Sequence, residues 1–186
     1  MNSKLLCAAL AALVLSTPAS ADDRQVASRE LVQKFGSELM QALTGALQEG
    51  GPTRAIEVCR DTAPKIAERF SAESSAKVSR TSLKVRRESN APEPWQREVL
   101  ESFEGRKAAG DDLATVEYFE TTADGGARYM KPIVTQPLCV TCHGTSIAPE
   151  VRDALAKHYR RDTATGFQVG DIRGAFSVVW PSQTRL

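Results

Sequence analysis

Two cysteines and a histidine stand together in the run Cys139-Val140-Thr141-Cys142-His143. Cysteines separated by two residues can present both sulfurs from one turn of chain, with the imidazole beside them. This spacing is typical of a c-type haem, which is bound covalently through two thioethers while the histidine binds iron. Gly144 follows, and a residue without Cβ lets the backbone leave a crowded turn. The run predicts one covalent haem c on Cys139 and Cys142, with His143 on the iron.

Zinc binding and dithiol redox chemistry are alternative interpretations of the same run. A structural zinc site needs four ligands, and His158 is the only other histidine of the chain. A thioredoxin-like pair stands at a strand-to-helix turn of a βαβ unit, and the sequence shows no such alternation. A chance match in a protein without haem is the third alternative. Evidence for export favours haem over all three.

The first residues have the features of a secretory signal peptide. Lys4 supplies the positive charge, residues 5–15 are apolar, and Ala19-Ser20-Ala21 is a small-residue cleavage site. The apolar stretch is too short to span a bilayer. Cys7 lies inside it and is removed with it. We therefore expect a signal peptide over residues 1–21 and a soluble mature protein in the bacterial periplasm.

Removal of the signal changes the charge and the cysteine count. Lys4 is its only charged residue, so the formal net charge falls from +1 to zero. A chain without a basic patch is not expected to bind nucleic acid, and no later segment is apolar enough for a membrane span. Three cysteines remain, and haem would use two. Cys59 is then an odd thiol in an oxidising compartment.

The mature sequence, residues 22–186, predicts a single α+β domain. Helical spacing of apolar residues indicates a first helix from Asp22 to about Gly50 and a second from Pro52 or Thr53, which Pro64 kinks or splits after Thr62. An exposed face of the first helix could pair two subunits into a homodimer. Short strands with helical inserts follow, which favours a small antiparallel sheet. We expect strands over 77–86, 115–120, 127–134 and 174–180, helices over 93–103 and 149–159, a loop over 89–94 and a hairpin turn at 124–126.

The second axial ligand decides what such a haem can do. The candidates are Cys59, Met130, His158 and Met40. Cys59 falls on the apolar face of the second helix, where a small thiol is often only a hydrophobe. His158 is most simply solvent-facing, Met130 sheet packing and Met40 helix core. The residues alone leave this choice open.

Five segments, in one order, resemble an exported family of bacterial and cyanobacterial c-type haem domains with a PAS-like sensor fold. They read AIEVCRDTAP at 55–64, RTSLKVR at 80–86, NAPEPW at 90–95, CVTCHG at 139–144 and GDIRGAF at 170–176. In that family the iron is bound by the histidine of the attachment motif and by a cysteine on an N-terminal helix. The resemblance therefore implies His143 and Cys59 as the axial ligands. It also implies a PAS-like small antiparallel sheet with long N-terminal helices packing on a covalently bound haem.

Such ligation implies a haem-based redox or gas sensor. A thiolate favours Fe(III), so the reduction potential should be low, and on reduction the thiolate could give way to CO or NO. A separate signalling protein would receive the signal. The alternative is a soluble one-electron-transfer cytochrome c with a redox partner. A haem enzyme is less favoured, because His158 is the only further candidate for an acid–base group.

Three arginines are candidates to pair with haem propionates, because guanidinium suits carboxylates. They are Arg80, Arg86 and Arg173. Arg173 is the first choice because it lies in the glycine-flanked segment 170–174. Ordinary exposed strand charges are the alternative for each of them.

Overall fold

A long interrupted helix opens the fold. In this computed structural model, which describes residues 20–182, α1 runs over Ala21–Glu57. Ser20 caps it, because its hydroxyl accepts from the Asp23 amide while the Asp23 carboxylate accepts from the Ser20 amide. The helix is broken at Gly50 and Gly51, and Gly51 has a φ of 68°. The predicted interruption is confirmed. Residues 1–19 of the predicted signal lie outside the described residues, so the signal peptide stays a prediction.

A π-helical turn, Val58–Thr62, joins α1 to α2, Ala63–Ser74. Pro64 lies in the first turn of α2 and has no N–H to donate to the carbonyls of the π-helical turn before it. The predicted split after Thr62 is thus confirmed as a local widening of the helix. Such π-helical turns are rare and are frequent at functional sites.

Four strands form one antiparallel sheet in the order β1-β4-β3-β2. They are β1 Lys77–Thr81, β2 Tyr118–Thr121, β3 Ala127–Val134 and β4 Ile172–Trp180. The last strand therefore lies inside the sheet, between β1 and β3. Gly125, with a φ of 79°, closes the β2–β3 hairpin. The predicted α+β class, with a long N-terminal helix and a small antiparallel sheet, is confirmed.

The remaining elements are short helices that follow β1 and the hairpin. They are a 3₁₀ turn Glu88–Asn90, α3 Pro94–Ala108, α4 Val140–His143 and α5 Pro149–His158. The helix predicted over 93–103 is longer than expected. No helix within residues 20–182 combines the length and the apolarity that a membrane crossing requires.

Two predicted strand boundaries are wrong by three residues or more, and β4 begins at Ile172 rather than at residue 174. The strand expected over 77–86 ends at Thr81, because Ser82 turns the chain away. Its hydroxyl lies 2.8 Å from the Arg173 carbonyl oxygen and accepts from the Lys84 amide at 3.1 Å. The strand expected from residue 115 begins at Tyr118, because the Thr115 amide donates to the Asp112 carbonyl in a turn.

Both faces of the sheet are covered. On one face α3 packs Leu100 and Phe103 against Met130 and other buried residues of β3 and β4. On the other face α1 packs Phe35 edge-on against Phe176, with ring centroids 5.6 Å apart. C-terminal to Phe35, the apolar side of α1 no longer packs on the sheet and instead lines a cavity.

Candidate cofactor site

A cavity of about 610 Å³ is enclosed by α1, α2, the sheet and the loop around α4. This volume falls within the roughly 300–1,000 Å³ typical of small-molecule and cofactor sites. Much of its wall is apolar and comes from the second half of α1 and from the sheet. These residues include Leu39, Leu43, Leu47, Ile56, Val78 and Phe176.

The five site residues predicted from the sequence all line this cavity. They are Cys59, Cys139, Cys142, His143 and Arg173. The π-helical turn supplies one of them, the turn around α4 supplies three and β4 supplies the last. All three cysteines are free thiols. Burial raises the pKa of the Cys142 thiol, Arg86 opposes this rise, and the neighbouring Cys59 and Cys139 add to it. The three sulfurs therefore share one electrostatic environment.

Helix α4 and the residue before it present Cys139, Cys142 and His143 from a single turn. The Cys139 carbonyl accepts from the His143 amide at 2.9 Å and from the Cys142 amide at 3.2 Å. The Gly144 amide then donates to the Val140 carbonyl at 2.9 Å. A Cβ on Gly144 would lie 2.5 Å from that carbonyl oxygen. The close approach explains the glycine and confirms the prediction made for it.

His143 is held as a neutral imidazole. Its Nδ1 lies 2.7 Å from the Ala164 carbonyl oxygen. A carbonyl only accepts, so Nδ1 carries the proton and Nε2 keeps its lone pair. Burial, followed by the nearby charges of Arg173 and Arg86, lowers the pKa of His143 to about 2. A histidine whose second nitrogen donates to a backbone carbonyl is in the form that metal ligands usually take.

Arg173 lies directly against this imidazole. Its Nε is 3.1 Å from His143 Nδ1 and 3.5 Å from Nε2. Its Nη1 donates to Ser82 Oγ and to the Lys84 carbonyl, each at 3.1 Å. Burial lowers the pKa of Arg173 to about 10, so the side chain is still charged at neutral pH. The pairing of Arg173 with a propionate stays a prediction.

The other two arginines differ in how they are paired. Arg86 forms an ion pair with Asp162, with Nε and Oδ2 2.9 Å apart. Arg80 reaches the cavity from β1. Burial lowers the pKa of Arg80, and only Cys59 and Tyr159 oppose that effect. Arg80 has no carboxylate partner within residues 20–182, so its charge is available to an anionic group in the cavity.

The other candidates for the second axial ligand, besides Cys59, lie in different parts of the fold. Met130 is fully buried on the α3 side of the sheet, which confirms it as sheet packing. His158 is partly buried, with Nδ1 2.6 Å from Arg60 Nη1, so its interpretation as a plain solvent-facing residue is wrong. Met40 lines the cavity and is 43% exposed, so its prediction as helix core is also wrong. Among these four candidates, Cys59 and Met40 line the cavity.

Sequence reasoning missed three contributors to the site. Asp162 follows two arginines and has the local pattern of a solvated charge, yet it is the partner of Arg86. The Ala164 carbonyl has no side-chain signal at all. Tyr159, at the end of α5, lines the cavity and has its pKa raised by burial and then by Cys59.

The described residues also bear on the zinc interpretation. Within residues 20–182, no three His, Cys, Asp or Glu side chains are grouped as a metal ion would need. A structural zinc site takes four such ligands. That interpretation therefore has no counterpart in this part of the chain.

Comparisons with known proteins establish the fold and the family. Comparison with curated proteins gives no match. The structure is similar to the crystal structure of the cyanobacterial heme-protein Tll0287, with a TM-score of 0.64 and 24% identity over 86% of this chain and 98% of that chain. At this identity the likeness establishes the fold. The Tll0287-like family model matches residues 9–181, nearly the whole sequence. The protein therefore belongs to the Tll0287-like family.

Proposed function

We propose that this protein is an exported c-type haem protein that acts as a redox or gas sensor, with His143 and Cys59 as axial ligands. One observation carries the proposal. A single cavity collects both thiols of the attachment motif, an imidazole with a fixed tautomer, and a third thiol from a distant helix. The structural neighbour named as a heme-protein supports it.

The residues of the cavity fit haem in shape, donors and charge. Cys139 and Cys142 would form the thioethers, and His143 Nε2 would be the first axial ligand. The apolar wall from α1 and the sheet suits a porphyrin face. Arg80 offers a cation without a carboxylate partner in the described residues, which suits a propionate. When bound, haem supplies a one-electron Fe(III)/Fe(II) couple whose potential depends on its axial ligands.

The two ligand-bearing sides are held differently, and this favours sensing. His143 is fixed by its backbone turn and by the Ala164 carbonyl. Cys59 lies in a π-helical turn between two helices, an irregular backbone conformation that is frequent at functional sites. Cys59 is therefore the side chain that would leave on reduction. Its release would open a position for CO or NO and alter the α1–α2 junction, which a separate signalling protein could detect.

Electron paramagnetic resonance of the oxidised holoprotein tests the axial ligands. We expect Cys59→Ala to replace the thiolate-type low-spin signal. Met40→Leu, at another candidate lining the same cavity, is the matched control and should leave the signal unchanged. Export in a host that matures cytochromes should yield a coloured protein with haem added to its mass. A colourless chain of unmodified mass would refute the proposal.

Electron transfer is the second candidate function. Met40 and Leu138, both lining the cavity, are 43% and 39% exposed. An apolar cofactor edge beside them would be accessible to a redox partner. Reduction under CO separates the two functions. A sensor with a departing thiolate should bind CO, whereas a carrier should keep both ligands and give a fast, reversible voltammetric wave. An enzyme has less support, because the acid–base candidate His158 is bound to Arg60 and does not line the cavity.

A further inference from the structure

The ion pair between Arg86 and Asp162 is nearly removed from solvent. The two side chains are 9% and 11% exposed, with Nε and Oδ2 2.9 Å apart. Burying two charges costs desolvation energy, so such a pair is weak evidence for a purely stabilising role. Its contacts indicate what else it does.

Both members of the pair hold the residue whose carbonyl accepts from His143, Arg86 at its carbonyl and Asp162 at its amide. Arg86 Nη2 donates to the Cys142 carbonyl at 2.6 Å and to the Ala164 carbonyl at 3.3 Å. Asp162 Oδ1 accepts from the Ala164 amide at 2.8 Å. The same Ala164 carbonyl accepts the Nδ1 proton of His143 at 2.7 Å. The pair thus fixes the acceptor that orients the imidazole, and it also holds the backbone of the residue before His143.

We infer that Arg86 and Asp162 are positioning residues for His143 and that together they set the reduction potential of the iron it binds. The inference rests on the proposed function. A carbonyl that already accepts from a guanidinium is a weaker acceptor for the imidazole N–H. Arg86 therefore limits the electron density that His143 can give to a metal, and its positive charge favours the reduced state. Asp162 opposes these two effects of Arg86, because the negative charge of Asp162 offsets the guanidinium and its carboxylate accepts from Arg86 Nε.

The two residues should therefore shift the potential in opposite directions. Arg86→Gln strengthens the imidazole as a donor and removes a positive charge, so it lowers the potential. Asp162→Asn leaves Arg86 partly uncompensated, so it raises the potential. Each change should alter the oxidised-to-reduced ratio at a fixed potential by about threefold to tenfold, where tenfold is about 59 mV for one electron. A purely structural role predicts no such opposition.

Spectroelectrochemical titration of the holoprotein tests this. Arg161→Gln is the matched control, because Arg161 forms an exposed ion pair with Glu88 and is the neighbour of Asp162; its potential should stay unchanged. The double variant Arg86→Gln/Asp162→Asn, without either charge, should return towards the wild-type value. It also remains informative if Arg86→Gln alone, which leaves Asp162 buried and unpaired, does not fold.

The outcomes separate this inference from the proposed function. A protein that carries haem and shows the Cys59 signal, but whose Asp162→Asn variant keeps the wild-type potential, would overturn the inference alone. Shifts of the same sign in Asp162→Asn and Arg86→Gln would overturn it as well. A colourless protein, or a spectrum insensitive to Cys59→Ala, would instead remove the proposed function on which it rests.

Discussion

Gly174 allows two strands to approach at the edge of the site, and replacing it should destabilise the protein. A Cβ on Gly174 would lie 2.3 Å from the Thr81 carbonyl oxygen and 3.0 Å from Ser82 Cβ. This is the point where β1 ends and Ser82 Oγ meets the Arg173 carbonyl at 2.8 Å. Because the obstacle includes backbone, a side-chain rotation cannot relieve it. We expect Gly174→Ala to push β4 away from Thr81.

The cost follows from the size of the overlap. Ordinary carbon contacts begin near 3.4 Å, so the strand at Gly174 must move by about 1 Å. Overpacking of this kind typically costs about 1–3 kcal/mol, and a backbone obstacle places it near the upper end. Alanine also restricts the unfolded chain more than glycine does. This effect stabilises the folded state by about 0.4–1 kcal/mol and offsets part of the cost. The net loss should be about 2–2.6 kcal/mol, or roughly 4–10 °C in Tm for a chain of this size.

Urea unfolding followed by circular dichroism measures this loss. Gly105→Ala is the matched control, because Gly105 lies in α3 and a Cβ at that position would have nothing within 4 Å. That change should stabilise the protein by about 0.5–1 kcal/mol, since glycine is a poor helix former. If Gly174→Ala were as stable as the wild type, or if both variants changed in the same direction, the close-approach argument would be refuted.

Three further predictions concern other parts of the fold. Glu117, hydrogen-bonded to Arg29, has a pKa lowered from 4.5 to about 2, so its contribution is complete above pH 4.5 and is lost as the pH falls towards 2. Glu117→Gln should cost about 1 kcal/mol at pH 7 after solvent screening, and urea titrations should show the difference from wild type shrinking below pH 4.5. Phe35→Ala should lose about 3–5 kcal/mol in the same assay, because this fully buried ring packs against Phe176; a loss below about 1 kcal/mol would mean that the cavity wall collapses freely. Gly144→Ala should reduce the fraction of exported chains that carry haem, read by intact mass, because its Cβ would meet the Val140 carbonyl at 2.5 Å; full loading would contradict this.

Local signals predicted much of the fold. The Gly50-Gly51 pair and Pro64 mark real interruptions of the helices, because each changes what the backbone can do at its own position. β3 has its predicted bounds, 127–134, since alternation and a glycine turn coincide there. The end of β1 was not predictable in this way. It depends on a contact between Ser82 and Arg173, which lie 91 residues apart.

The candidate site also combines features that local sequence predicts with features that depend on contacts between distant residues. The spacing of Cys139, Cys142 and His143 is a local pattern, and it correctly predicted residues that line the cavity. The sequence could not distinguish Arg80 from Arg86, because both are strand-region arginines with similar neighbours. Their roles separate only once Asp162 arrives beside Arg86 from the loop after α5. Roles that depend on a distant partner become visible only in the folded chain.

Helix α5 connects the two sides of the cavity and so limits how they can move independently. Its Val151 and Leu155 pack with Ile56, just before the π-helical turn, and with Cys142, next to His143. Its last residue, His158, contacts Arg60, the residue after Cys59. A displacement of the Cys59 turn would therefore either break these contacts or move α5 with it. His143 would stay fixed by the Ala164 carbonyl. A change of ligation at Cys59 would thus be expressed at the surface through α5, because the side of the cavity around His143 is the one that the chain holds in place.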